Sequence, residues 1–296
     1  MHNPSSTKQL AEQALLHIAI TRPLPQGQQL QQKLQQAGFN SICEPLFVIE
    51  NNTTQAAVGN ILNNNAPYAF IFVSVAAVKF AEQALPLTQW QQQHPQTQFF
   101  AVGEKTKAAL LATGINKVIS PAQQNSEGLL ALEPLNPIKQ QLNGKLIIIV
   151  RGKQGREHLA TQLRNRGAQV HYLSSYKKVW LQLNANEMLP RWQSAAINCI
   201  VITSIALLDR MVHLLSAGIQ QRSVKNLNDY TWIVVSERIA KQAQTLQLTN
   251  MIITENASDE AIIASLTKYK SKQKNKYNSK QNNSQHSNSK KDRNNS

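Results

Sequence analysis

The 296-residue chain carries 31 Lys/Arg against 16 Asp/Glu, a formal net charge of +15, but the excess is unevenly spread. From Lys268 to Ser296 nine cations meet one aspartate, so that stretch of Lys, Asn, Ser and Gln holds +8 and only +7 remains for the rest. Two cysteines, Cys43 and Cys199, exclude a disulfide framework and a cysteine zinc site.

Each cysteine falls on a predicted strand, which suits reduced, buried thiols and a cytoplasmic setting. Met1–Gln13 is polar and no apolar run approaches the roughly 18 residues that span a bilayer. Neither a signal peptide nor a membrane span is expected.

In chain order, apolar β-branched runs predict strands near Ile18–Ile20, Ile42–Phe47, Phe70–Val73, Phe99–Val102, Lys117–Ile119, Leu146–Val150, Val170–Tyr176, Ile200–Ile202, Trp232–Val235 and Met251–Ile253. Helical stripes are expected near Gln26–Ala37, Gln55–Asn63, Val75–Ala84, Glu104–Ala112, Arg156–Arg166, Ile205–Leu215 and Arg238–Leu246. The Asn-rich Asn63–Ala66 and Asn184–Leu189 are expected to be loops, and Ser126 and Ser258 to cap short helices with acidic first turns. This alternation predicts an α/β chain with parallel sheets.

The chain is also duplicated. Arg22 matches Arg151 and Gly38 matches Gly167 at one offset of 129 residues, and Ser74 faces Ser204 at an offset of 130. Glu104 and Glu237 stand 133 apart. Two domains of about 120 residues each follow, within the usual size range.

No Gly-rich dinucleotide or phosphate loop, no nucleophile elbow and no zinc-helix motif occurs, so neither metal nor nucleotide is expected. What collects at the strand ends is Thr21-Arg22, Ser74, Gly103, Arg151-Gly152, Thr203-Ser204, Ser236 and Arg238. Hydroxyls, backbone N–H groups and arginines at helix N-termini hold carboxylates through charge-assisted hydrogen bonds. Taken singly, such a Ser or Thr is more often a helix cap; as a set repeated in both halves, they point to an anion-lined site.

The ordered set Ile20-Thr21-Arg22-Pro23, Val73-Ser74, Val102-Gly103 with Thr106, Ser126-Glu127-Gly128, Arg151-Gly152 with Gly155-Arg156, Arg166-Gly167, Tyr176, Thr203-Ser204, Ser236-Glu237-Arg238 and Ser258-Asp259 resembles the uroporphyrinogen-III synthase family from about Ile18 to Leu266. Val73 stands where such proteins commonly carry Thr. The resemblance implies two flavodoxin- or Rossmann-like parallel-sheet domains joined by a two-stranded β ladder, with the active-site cleft between them. It places domain 1 at residues 14–43 plus 180–266, the ladder at 44–50 and 168–179, and domain 2 at 51–167; the basic tail at 267–296 lies outside the resemblance, and its composition, with almost nothing to bury, predicts disorder.

It further implies cofactor-free cyclisation of hydroxymethylbilane, a linear tetrapyrrole with many carboxylates, by a cytoplasmic monomer. Tyr176 is then the candidate to hydrogen-bond or protonate the departing hydroxyl. Thr21, Arg22, Ser74, Gly103, Arg151, Gly152, Thr203, Ser204, Ser236 and Arg238 serve carboxylate binding or site architecture. The basic tail is read first as a solvated appendage with no specific partner; the alternative is a transient contact with hydroxymethylbilane synthase.

Two rival readings remain open at this point. A non-catalytic two-domain protein for a small polyanion would share the duplicated architecture. A nucleic-acid binder would rest on the tail and lose its salt-sensitive binding when residues after Leu266 are removed.

Overall fold

The computed structural model describes residues 15–62, 65–136, 142–220, 226–273 and 275. β1 (His17–Ile20) leads into α1 (Gln26–Gln36), which buries Leu30 and Leu34. Gly38 follows at φ 76°, the left-handed geometry that lets a helix end sharply. β2 (Asn40–Cys43) and β3 (Phe47–Asn51) replace the single strand predicted over Ile42–Phe47. Pro45 between them has no N–H for a ladder. Glu44 beside it is held by Arg191 at 2.9 Å and by the Trp192 indole at 3.2 Å.

Then come α2 (Gln55–Leu62), β4 (Ala69–Phe72), α3 (Val75–Ala84) and α4 (Leu87–Gln93), the last not expected. β5 (Gln98–Ala101) and α5 (Glu104–Ala112) follow. The segment predicted as a strand over Lys117–Ile119 contributes a single bridge from Ile119 to Phe100. α6 (Ser126–Ala131) is capped by Asn125, whose side chain accepts from the Gly128 N–H, so Ser126 is its first helical residue and not its cap.

β6 (Leu146–Gly152), α7 (His158–Asn165) and β7 (Gln169–Trp180) form the Arg151-centred β-α-β unit. The predicted loop at Asn184–Leu189 is instead the start of α8 (Ala185–Ser194), capped by Asn184. Its buried Ala185, Met188, Leu189 and Trp192 lie at helical spacing, and that stripe outweighs the asparagines and the internal Pro190. β8 (Cys199–Ile202), α9 (Ile205–Gln220), β9 (Thr231–Val234), α10 (Glu237–Thr245) and β10 (Met251–Ile253) complete the alternation.

A last helix covers 259–273, opened by the Ser258 hydroxyl, which accepts from Ala261 N–H at 3.2 Å. It is neither short nor confined to the body, since it runs into the segment assigned to a disordered tail. Ile262 and Leu266, both fully buried, anchor it and allow further turns to propagate at little cost. The remainder of that tail, 274 and 276–296, lies outside the described residues.

The described residues divide into two compact units, one drawn from those up to 48 and from 180 onward, the other from those between 49 and 179. The first contains the sheet β10-β9-β8-β1-β2, in which every neighbouring pair of strands runs parallel. Every residue of β8 and β9 is buried, as expected for strands covered by helices on both faces.

The second unit is built around β3-β7-β6-β4-β5, parallel from β7 through β5. Its core splits by strand parity. Phe70, Phe72, Phe99, Ile148 and Val150 pack on one face, while Ala69, Ile71, Phe100, Ile147 and Ile149 pack on the other. Phe70 and Phe99 stack at 5.7 Å between ring centres, so truncating either to Ala would cost about 3–5 kcal/mol.

β7 breaks that parity beside Arg151 and Gly152. Arg151 pairs with Ser174 and Gly152 with Tyr176, which leaves Ser175 as an extra residue on β7. Without the extra residue Val170, Tyr172 and Tyr176 would share one face of the predicted strand. Tyr172 packs with the Ile147–Ile149 face and Tyr176 with the Ile148–Val150 face.

Candidate active site

Apart from Tyr176, which lies within β7 and pairs with Gly152 at the end of β6, the predicted site residues stand at or just past the C-terminal ends of parallel strands, where open α/β sheets bind ligands. In the first unit Thr21 is wholly buried and donates to the Val201 carbonyl at 2.7 Å, so its hydroxyl serves architecture. Arg22, 8% exposed, donates to Asp259 at 2.6 Å and to the Ala257 carbonyl. Lys33 reaches the other oxygen of Asp259 at 2.9 Å. Burial alone would push the Asp259 carboxyl up, but the hydrogen bonds and charges of Lys33 and Arg22 outweigh it and hold the group below its ordinary value.

Ser204 accepts from Leu207 N–H at 3.3 Å and Ser236 from Ile239 N–H at 3.4 Å, each three residues on, which is helix-cap geometry. Thr203 is half-buried and Arg238 is exposed. These two side chains are the least committed of the first unit's set.

In the second unit Ser74 caps α3 by accepting from Ala77 N–H at 3.1 Å, and its oxygen lies 3.2 Å from the Tyr176 hydroxyl. Gly103 occupies the cap position of α5 in extended backbone. The Gln124 carboxamide takes over the capping role there, accepting from Glu104 N–H at 3.2 Å. Gly152 is required by contact: a Cβ there would sit 2.7 Å from the Tyr176 ring.

Arg151 is 7% exposed and tightly held. It donates to Glu157 at 3.0 Å and to the Arg156 carbonyl at 3.1 Å, and its guanidinium lies 4.3 Å over the Tyr172 ring. The Tyr172 hydroxyl donates to the second Glu157 oxygen at 2.5 Å. The hydrogen bond from Tyr172 is the main force holding the Glu157 carboxyl below its ordinary value, with Arg151 adding to it. Burial first, and then Glu157, push the Tyr172 phenol up, so it remains a donor at neutral pH.

A cavity of 480 Å3 gathers this group: Arg151, Gly152, Tyr172 and Tyr176 line it with Val73, Val102 and residues 124–127 at the start of α6. A larger cavity of 680 Å3 lies at the opposite, N-terminal end of the same strands, beside Tyr68, His94 and Lys145. The smaller one is the better candidate, because its donors converge at the C-terminal strand edge. Tyr172, Glu157 and Gln124 were not among the sequence candidates. The signal for Glu157 was present in the Gly155-Arg156-Glu157 run beside Arg151; Tyr172 was read only as a strand residue. Among the described residues no group of three His, Cys, Asp or Glu could hold a metal ion, and no helix is long and apolar enough to cross a membrane.

The family model described as "Uroporphyrinogen-III synthase HemD" matches residues 28–264. The uroporphyrinogen-III synthase of Escherichia coli (strain K12) is 28% identical over 254 residues, covering 85% of this chain and 100% of that protein. That of Proteus mirabilis is 34% identical over 185 residues, 62% of this chain and 90% of the relative. Among solved structures, a mutant uroporphyrinogen III synthase from the extremely thermophilic bacterium Thermus thermophilus shares the fold at TM-score 0.54 and 15% identity, covering 87% of this chain and 99% of that one. The enzyme from Helicobacter pylori 26695 does so at TM-score 0.52 and 18% identity, over 84% of this chain and 97% of that one. By the match over most of its length, the chain belongs to the uroporphyrinogen-III synthase family, cyclising lyases of tetrapyrrole and haem biosynthesis.

Proposed function

We propose that the chain closes hydroxymethylbilane to uroporphyrinogen III with loss of water and inversion of the last ring, and that Tyr176 helps the hydroxyl to leave. The reaction makes two demands. The departing hydroxide must be neutralised as an azafulvenium cation forms, and the chain must be held so that the substituted carbon of the last ring attacks. Pyrrole nitrogens supply the electron push, so positioning and electrostatics can carry much of the rate.

The observation that carries this reading is the meeting of a buried arginine, two phenols and strand-end backbone in one cavity of the second unit. Ser74 accepts from Ala77 N–H, and its oxygen lies 3.2 Å from that of Tyr176 in a contact where either hydroxyl can donate; this reading takes Ser74 as the donor. In that arrangement the Tyr176 proton faces the leaving hydroxyl. Arg151, the Gly152 backbone and the Gly103 turn bind substrate carboxylates, and Thr203, Ser204, Ser236 and Arg238 do the same at the first unit's strand edge. Thr21 and Arg22 hold that edge in shape. We place the enzyme in the cytoplasm as a monomer needing no cofactor, in transient contact with the hydroxymethylbilane synthase that supplies its unstable substrate.

The test is a coupled assay with freshly generated bilane and chromatographic separation of the isomers. An excess of type III product that depends on this protein is expected. Type I product alone, at the rate of the blank, would move the protein to the polyanion-binding alternative.

A further inference from the structure

Arg151 and its acid differ sharply in exposure. The arginine side chain is 9% exposed, whereas Glu157 is 60% exposed and reaches it from the N-cap of α7. Glu157 satisfies both of its oxygens on cavity-lining donors, one on Arg151 at 3.0 Å and one on the Tyr172 hydroxyl. Arg151 and Tyr172 are thus prearranged, cation over ring and donors side by side, to receive one planar carboxylate.

We propose that Glu157 is a placeholder: it occupies the Arg151–Tyr172 pair in the empty enzyme and yields it to a carboxylate of the substrate. The inference rests on the functional reading given above. A buried guanidinium is costly to leave without an anion, so the pair holds one at all times. An acid that is already largely hydrated loses little on release, so exchange for an incoming carboxylate is close to balanced. The step moves no covalent bond; one carboxylate replaces another. Its consequence is selectivity, because a neutral substituent at that position cannot displace Glu157 without stranding Arg151.

The probe is uroporphyrin III, the oxidised octacarboxylate form of the product, titrated against the full-length protein and its variants. Glu157→Gln is expected to bind about fivefold more tightly, as the competitor loses its charge. Glu127→Gln, which removes another exposed acid from the same cavity wall, measures the general effect of losing a negative charge and is expected to gain less than about twofold. In an Arg151→Gln background the gain from Glu157→Gln is expected to vanish. Binding by Glu157→Gln no tighter than the parent, or a gain that survives without Arg151, would overturn the placeholder. Either result beside normal type III turnover leaves the functional reading intact, whereas type I product alone from the parent protein strikes that reading itself.

Discussion

The two arginine turns occupy the same place in the repeat, yet they are wired differently. Arg22 draws its carboxylate from Asp259, 237 residues away, and that acid is 17% exposed and shared with Lys33. Arg151 draws its own from Glu157, six residues on and 60% exposed. At the offset of 129 residues the counterpart of Glu157 is Gln28, and that of Tyr172 is Cys43. Duplication copied the cation but not its partner. Where the acid comes from the far end of the chain and is enclosed, the pair works as a clamp. Where the acid is local and hydrated, beside an open cavity, the same arginine can serve a ligand.

The largest effect expected from this contrast is in the second unit. Tyr176 has Phe47 as its counterpart at the same offset, so the phenol belongs to one turn only. Tyr176→Phe should lower kcat about 100-fold with little change in KM, measured by initial rates of type III formation. An unchanged kcat would remove Tyr176 from the chemistry and leave it as a packing residue against Gly152 and Phe80.

Next in size is the clamp. Asp259→Asn leaves Arg22 buried opposite a neutral group and should cost about 2 kcal/mol, read from the denaturant midpoint. The same group sets a pH dependence. Because its folded value lies below its unfolded one, its stabilisation is fully present above about pH 4 and fades as pH falls through the depressed value. Asp259→Asn should therefore flatten the acid limb of the stability profile, whereas a parallel profile would place the acid sensitivity elsewhere.

Gly152→Ala should act more mildly, lowering kcat about tenfold as the new methyl pushes the Tyr176 ring aside, with about 1 kcal/mol lost from overpacking. Both readouts are needed, since a stability loss without a rate loss would show that the ring's placement is not critical.

Much of the fold was legible because parallel α/β chains advertise themselves. Strands buried on both faces, such as Ile200–Ile202 and Trp232–Val234, read as continuous apolar runs, and Gly38 and Gly167 ended their helices at positive φ. The errors came where local and tertiary signals disagreed. Asn184 looked like a loop and is a helix cap; Glu44-Pro45-Leu46 looked like mid-strand and is a break fixed by a contact with Arg191. For the candidate residues, the strand-end placement was legible but the wiring was not. Sequence placed Arg22 and Arg151 at strand ends, but which acid holds each depends on contacts that spacing does not encode. The bulge at Ser175, which turns Tyr172 and Tyr176 to opposite faces, has no sequence mark of its own.

The most direct test of the divergence between the turns is the bilane KM of Arg151→Gln beside that of Arg22→Gln, each scaled to its folded fraction. The account predicts a KM raised about tenfold or more for Arg151→Gln, as a charge-assisted contact is lost, with kcat within about threefold of the parent. For Arg22→Gln it predicts a KM within about twofold and a lower melting midpoint. Equal increases in KM for both variants would contradict it, and would mean that the two copies of the turn still do the same work.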